Sequence, residues 1–511
     1  MADVLLAPHQ LGHGGRTVAI ADQCAMFMEL GHHPVVVTYT HVSHLLTLQE
    51  YVQSVYGIPD GVPVRNIYAD LLHRNTRDFE ARWSRDEDES VGDYLMINDA
   101  QMSLAEKGAD EASIKFADDV IKCHTRDRQG NLHEVRYYRG RNIKYRRIYD
   151  SSGFCSLEYR YDDITGTVNQ ENYYTPDGFC YLVRWINAST GRHAGLFQTD
   201  RKTRRVTRFD GNTSWHVSWL NDILGEFDSK PTLVAHSAGS ARKVLRVPSS
   251  AARRIFVWHE NHIDRPYRSG GRIREDYREV FDRFRDMPVV VVATQAQADE
   301  LRARYPGADN IRVIPPIVDD KRTGSPIVRE SGRIGVFARL APGKRIPHVI
   351  EAMSHVVDEF PAATLHIYGS GPEREHIQSL AHESRCASSI EFHGRTQAVS
   401  DEMARCDVTV SASEVESFGL SVGESLAVGT PVVSYDITYG PSDVVRDGID
   451  GYLVPDGDIR ALAQAIIAVL ESARDGRPMA VGARERIREE FGRESVARRW
   501  SAILHDGQIV E

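Results

Sequence analysis

Ser413-Glu414-Val415-Glu416-Ser417-Phe418-Gly419-Leu420-Ser421-Val422-Gly423-Glu424 carries the decisive reading of this chain. Two carboxylates, Glu416 and Glu424, flank a Ser-Phe-Gly turn that runs into a helical pattern. The spacing puts Glu416 in the loop before a helix and Glu424 about one and a half turns inside it. Both then stand beside a helix N-terminus, where free backbone N–H groups and the helix dipole favour a phosphate. Carboxylates there are poor phosphate ligands but good acceptors for hydroxyls. The pairing suits a ligand with both phosphate and many hydroxyls, as a nucleotide sugar has. Two solvated glutamates at a helix start would satisfy the same spacing, so the surroundings decide.

Upstream, a predicted strand, Arg333-Ile334-Gly335-Val336-Phe337, runs into a turn holding Arg339, Pro342, Gly343 and Lys344. An Arg fork and a Lys point charge leaning toward one site are what a diphosphate needs, both to bind and to leave with its charge neutralised. Taken alone, two such cations are ordinary surface charge. Next come a strand, Thr364-Leu365-His366-Ile367-Tyr368, ending in the turn Gly369-Ser370-Gly371, and a second strand, Ile390-Glu391-Phe392-His393, ending at Gly394. Asp407-Val408-Thr409-Val410-Ser411 then leads into the carboxylate motif. Strand, turn and helix alternate as in a parallel doubly wound α/β sheet, whose ligands bind beyond the strand carboxyl ends.

These residues, with Gly429-Thr430-Pro431-Val432-Val433-Ser434 and Asp447-Gly448-Ile449-Asp450-Gly451 downstream, resemble the donor half of a GT-B retaining glycosyltransferase of family 4. The resemblance implies two Rossmann-like domains with a cleft between them. It implies that Glu424 holds the nucleotide ribose, that Glu416 contacts the donor sugar, and that Arg339 and Lys344 hold the diphosphate. Ser417, Phe418, Gly419, Leu420, Gly369 and Gly394 would line the donor site. It also implies front-face transfer with retention, in which the leaving phosphate takes the acceptor proton. The implied donor is a UDP-sugar, UDP-glucose or UDP-N-acetylglucosamine. No further cofactor and no metal are expected.

At the other end, Val4-Leu5-Leu6-Ala7 reads as a short buried strand. Leu11-Gly12-His13-Gly14-Gly15-Arg16-Thr17 reads as a glycine-rich turn opening a helix. Within the resemblance, Gly14 and Gly15 face the donor across the cleft; alone, such a cluster is common between strands and helices. Ile255-Phe256-Val257-Trp258-His259 is another buried strand, followed by Glu260-Asn261-His262. The resemblance places one histidine over the reacting sugar, and His259 and His262 are both candidates. Val289 to Val292 is expected to close the parallel run of this first domain.

The chain has 511 residues, 41% hydrophobic and 26% charged, which suits an ordinary multi-domain soluble protein. Its net charge of −10 speaks against nucleic-acid binding. Six cysteines without metal or CxxC spacing, and a first apolar stretch too short for a signal peptide or a membrane span, fit the cytoplasm. Peripheral contact with the inner membrane face is compatible with that reading. No His/Asp/Glu metal cluster stands out.

The middle differs. Residues 76–110 are charged and helical in pattern. From about 116 to 212, short alternating strands rich in Tyr, Arg and Val are separated by Asp/Asn/Gly turns. A repeat at an offset of 25 aligns Asp150-Ser151-Ser152-Gly153-Phe154-Cys155 with Thr175-Pro176-Asp177-Gly178-Phe179-Cys180, and Asp127 to Leu132 resembles an earlier copy. An antiparallel meander inserted in the first domain is expected, with Cys155 and Cys180 at equivalent packing positions. An insertion of this kind resembles those of poly(glycerol-phosphate) α-glucosyltransferases, wall teichoic acid glycosyltransferases and protein O-GlcNAc transferases. It implies oligomer assembly, giving a homo-oligomer, or acceptor binding. Its basic residues (Arg139, Arg141, Lys144, Arg146, Arg147, Arg201, Lys202, Arg204, Arg205, Arg208) suit a polyanionic acceptor or simply solvate a sheet face. The expected division is 1–75 with 213–318 for the first domain and 76–212 for the insertion. Residues 319–490 form the nucleotide-sugar domain, and 491–511 a helix crossing back. The function this implies is hexose transfer from a UDP-sugar to a polyol-phosphate polymer. Serine-rich protein acceptors and a non-catalytic partner subunit are the alternatives.

Overall fold

The computed structural model describes residues 2–12, 15–76, 102–106, 111–116, 119–127, 130–322, 327–477 and 479–506. Gly14 and most of 76–110 lie outside the described residues. Three sheets organise the rest. The first is wholly parallel and runs Ile311–Val313, Val290–Val292, Arg253–Trp258, Thr232–Ala235, Asp3–Ala7, His33–Thr38, Val64–Asn66. Its central strands are continuous apolar runs because helices cover both faces; Val4, Leu5, Leu6 and Phe256 are fully buried. The parallel run does not close at Val292. Ile311–Val313 adds one more strand, a three-residue segment whose single pair of apolar residues gives too short a period to recognise.

The second domain is a six-stranded parallel sheet ordered Ile390–Gly394, Thr364–Tyr368, Arg333–Phe337, Val408–Ser411, Val432–Asp436, Gly451–Pro455. Its strand order reverses beside Arg333–Phe337, which leaves a crevice at the carboxyl ends of the strands. Both the Arg339–Lys344 turn and the Glu416 loop begin there. The last helices, Ala483–Phe491 and Arg493–Asp506, break at Gly492. The second returns to the first domain, where Val496, Trp500 and Leu504 join its core and Trp500 meets Phe27 edge-on at 5.4 Å.

The insertion is a ten-stranded antiparallel meander from Met102–Glu106 to Val206–Phe209. Met102–Glu106 and Glu111–Phe116 are therefore strands, although they fall in or beside the stretch read as helical. Pairing with neighbouring strands outweighs the helix propensity of their Ala, Glu and Leu residues. The sequence repeat is a repeated five-residue turn. Asp127, Asp150 and Thr175 each donate their N–H to the carbonyl four residues on, at 2.9 Å, and each accepts from the glycine between. Cys155 and Cys180 each lie near the carbonyl two residues on, at 3.8 and 3.5 Å, and neither is in a disulfide. One face of the sheet is fused to the first domain: Tyr173, Tyr181, Leu182 and Leu196 belong to its core, and Arg184 donates to Tyr68 Oη at 2.8 Å.

Candidate active site

The site begins with two backbone approaches. Gly369 has φ +140°, and a Cβ there would stand 1.8 Å from the Ala338 carbonyl oxygen; one at Gly371 would stand 2.1 Å from that of Leu340. Leu340 N–H donates to Ser370 O, and Gly369 N–H to Gly394 O at 2.7 Å. Without side chains, the glycine turn seats directly on the 338–340 segment, which fixes where Arg339 leaves the backbone. Arg339 is exposed and forms no ion pair among the described residues.

Lys344 ends the turn Pro342–Lys344 and bonds Glu416 through Nζ and Oε1. Glu414 N–H donates to Gly343 O at 2.8 Å, so backbone as well as side chains join the two loops. Gly440, with φ +99°, lets its loop pass beneath them: a Cβ would lie 2.8 Å from Phe418 O and 3.3 Å from Glu416 Cβ. Phe418 is buried and meets Phe491 at 5.4 Å, so its side chain is core and only its backbone faces the loop. The helix Leu420–Ala427 starts at Gly419 (φ +82°) with no side-chain cap. Val422 N–H is taken by Gly419 O at 2.9 Å, and among the described residues the N–H groups of Leu420 and Ser421 are left open to a ligand.

Glu424 projects from the second turn of that helix. Burial pushes its carboxyl up to about 7; Lys321 counters this and Asp22 adds to it. Lys321 and Asp22 pair across the interdomain cleft at 3.2 Å. Neither carries a signal in the sequence, where both look like surface charges.

The first domain closes over this set. Gly15 opens the helix Gly15–Glu29 opposite Leu420; a Cβ there would stand 3.8 Å from the Leu420 Cδ2 methyl group. Ser417 Oγ donates to the His259 carbonyl at 2.6 Å. His259 Nε2 and His236 Nδ1 are 2.8 Å apart, with the rings stacked. Burial holds His259 low, to about 4, with Arg16 adding to the effect, so the ring is neutral. His262 goes elsewhere. It is fully buried, stacked between Phe281 and Tyr439, with Nδ1 3.3 Å from Gln297. The structure thus gathers Arg339, Lys344, Glu416, Ser417, Gly369, Gly394, Gly419, Leu420, Gly15 and His259 around the cleft, and places the His262 side chain in the core.

A second group on the cleft side of the first domain has no signal in the sequence. Lys243 Nζ lies 2.9 Å from His9 Nδ1 and 4.2 Å over the Tyr39 ring. Burial lowers Lys243 to about 7, and Arg242 adds to the shift. Of the ten residues of the insertion's basic runs, Lys144, Arg146, Arg147 and Arg201 are ion-paired within the insertion.

Two parallel-sheet domains joined by a returning C-terminal helix, with the carboxylate loop in the cleft between them, define a GT-B fold. Residues 318–489 match the family described as glycosyl transferases group 1. The chain is 26% identical to the poly(ribitol-phosphate) alpha-N-acetylglucosaminyltransferase of Staphylococcus aureus, over 67% of this chain and 68% of that one. It is 30% identical to the poly(glycerol-phosphate) alpha-glucosyltransferase of Bacillus subtilis, over 57% of this chain and 43% of that one. Among solved structures, a mutant of S. aureus TarM in complex with fondaparinux, alpha-GlcNAc-glycerol and UDP superposes with a TM-score of 0.83 at 20% identity, covering 99% of this chain and 100% of that one. The pneumococcal O-GlcNAc transferase GtfA in complex with UDP and GlcNAc gives 0.73 at 19% identity, covering 99% and 100%.

Proposed function

We propose that this protein is a retaining hexosyltransferase of family 4 that moves glucose or N-acetylglucosamine from a UDP-sugar to a hydroxyl of a polyol-phosphate polymer. The observation that carries the reading is the contact of Lys344 with Glu416 at an uncapped helix start, beside an exposed Arg339 and a half-buried Glu424. Cations and open N–H groups suit the diphosphate, and the carboxylates suit ribose and sugar hydroxyls. The similarity to two polyol-phosphate glycosyltransferases supports the acceptor class.

In the proposed reaction the bond from the anomeric carbon to the diphosphate breaks, and the acceptor oxygen bonds that carbon from the same face. The acceptor proton passes to the departing diphosphate. Arg339, Lys344 and the N–H groups after Phe418 stabilise the developing negative charge, so two side-chain cations take the place of a bound metal ion. Neutral His259, held by His236 on one nitrogen, offers the other to a sugar hydroxyl. The cytoplasm is the proposed compartment, at the inner membrane face where such polymers would be reached. Among the described residues no helix is long and apolar enough to cross a membrane. The insertion is the proposed oligomer contact.

The test is nucleoside diphosphate release from a panel of nucleotide sugars, with and without poly(ribitol phosphate) or poly(glycerol phosphate). Release from one UDP-sugar, stimulated by polymer, is expected. Release indifferent to both polymers would transfer the acceptor to a serine-rich protein, the alternative that similarity to GtfA favours. No release from any sugar would sink the enzymatic reading.

A further inference from the structure

His366, Glu391 and His393 come from adjacent strands at the open edge of the second sheet, away from the carboxylate loop. His366 lies in Thr364–Tyr368, and the other two lie in the edge strand Ile390–Gly394. Glu391 stands directly opposite His366 in the register. Beyond Ile367 the register slips, so that Tyr368 faces Gly394 and His393 is the extra residue of a bulge. Bulges at sheet edges re-aim side chains. Here the His393 ring stacks on Tyr368 at 4.5 Å and turns its Nε2 toward His366.

Three ligand atoms converge as a result. His366 Nδ1 and His393 Nε2 are 2.8 Å apart, and Glu391 Oε2 is 3.6 Å from the first and 3.5 Å from the second. Around a tetrahedral zinc ion with bonds of about 2.0–2.2 Å, neighbouring ligand atoms stand about 3.3–3.5 Å apart. The triangle already has nearly that size; the two imidazoles, hydrogen-bonded to each other with rings 12° from parallel, need to part by about half an ångström and tilt toward the ion. The orientation is set as well. His366 Nε2 is 3.0 Å from Thr364 Oγ1, which leaves Nδ1 as the coordinating nitrogen. A hydrogen bond on the far ring nitrogen is the usual way in which a protein fixes a metal-binding histidine. His366 is buried while Glu391 is exposed, so the pocket opens to solvent on one side and a water can complete four-coordination.

We propose that His366, Glu391 and His393 form a binding site for a tetrahedral divalent transition ion of the zinc class. Its place gives it a role. Gly394 follows His393 directly, and its carbonyl holds Gly369 N–H in the turn beside Arg339. An ion bridging the edge strand to its neighbour would pin that turn from behind without touching the diphosphate. Zinc here is a staple of the fold, compatible with transfer driven by Arg339 and Lys344, and independent of which donor the cleft takes.

The test is equilibrium dialysis of the full-length protein against Zn²⁺, with Co²⁺ as a spectroscopic probe. One tightly bound equivalent is expected, with the strong visible absorption of tetrahedral Co²⁺. His393→Ala should abolish both. Glu391→Gln should weaken binding, and Thr364→Val should weaken it by about 10–100-fold while keeping every ligand. His393 and Glu391 are exposed, so their variants retain the fold, and unchanged far-UV circular dichroism would verify this. Absence of bound ion at micromolar free Zn²⁺ would overturn the proposal. So would binding that His393→Ala and Glu391→Gln leave unchanged.

Discussion

The carboxylate loop and the inserted sheet are both rich in charge, yet they use it in opposite ways. In the insertion, Glu158 is 4% exposed and receives Arg160 at 2.9 Å, Arg147 at 3.1 Å and Asn172 at 3.4 Å. Arg184 pairs with Glu171 at 2.6 Å, and Lys144 with Asp163 at 2.6 Å. Burial would raise the Glu158 carboxyl, but the hydrogen bonds from Arg160 and Arg147 outweigh it and keep the group low. Around the cleft, Arg339 has no acidic partner among the described residues, and burial raises Glu424 with no hydrogen bond to offset it. A charge already satisfied by its neighbours is structural. One held in a concavity without a partner is waiting for a ligand.

The largest effect is expected at Lys344, whose one acidic partner, Glu416, lies in the same cleft and is itself a donor-site candidate. Lys344→Ala removes the cation proposed to hold the diphosphate and frees Glu416, and it should lower kcat by about 10²–10³-fold. The melting temperature should shift by only a few degrees, because the pair is half-exposed and such pairs contribute little to stability. Wild-type turnover would erase the distinction between the two regions. The counterpart in the insertion is Glu158→Ala, which leaves two arginines facing each other without their shared acceptor. It should cost about 3 kcal/mol in chemical denaturation while leaving donor-only nucleotide release unchanged. Loss of release without loss of stability would reverse the assignment.

The sequence showed the second domain clearly because its signals are local. Arg333–Phe337 and Thr364–Tyr368 are short apolar runs, the second closed by glycines, and the turn chemistry of Gly369 and the uncapped start at Gly419 sit within a few residues of the groups they position. What it hid is long-range. Lys321 and Asp22 meet from opposite domains, and Lys243 reaches His9 across more than two hundred residues of chain. His366 and His393 become neighbours only through strand register. His259 and His262, three residues apart, looked equivalent until the strand end turned one toward the cleft and the other under Phe281. Met102–Glu106 reads as a helix because its residues favour one, and only its pairing partners make it a strand.

Glu424 gives a sharper, smaller test. Its folded value near 7 lies above the ordinary value of 4.5, so the folded state holds its proton more tightly than the unfolded chain does. Stability is therefore lost as pH rises through the window from about 4.5 to 7. Glu424→Gln has no such loss, and it should be more stable than the wild type at pH 8 by on the order of 2 kcal/mol, with little difference at pH 4.5. If the ionised form accepts ribose hydroxyls, KM for the nucleotide sugar should fall as pH rises through 7 in the wild type and stay flat in the variant. A pH-independent stability difference would place Glu424 among the satisfied charges.

The smallest effect concerns the arginines that the insertion leaves over. Arg204, Arg205 and Arg208 are exposed along the edge strand Val206–Phe209 and the turn before it, and they form no ion pair among the described residues. By the same logic that singles out Arg339 they are free for an anion, but they stand in open solvent, where each charge is screened within about 8–10 Å at physiological salt. Replacing all three with glutamate should raise KM for a polyol-phosphate polymer by a few-fold and flatten its salt dependence, with KM for the nucleotide sugar unchanged. Lys144→Ala, which removes a charge already paired with Asp163, should do neither. Equal behaviour of the two variants would mean that exposure without a concave surface marks nothing but a solvated sheet edge, and the acceptor would then have to be sought beside Lys243 and His9 instead.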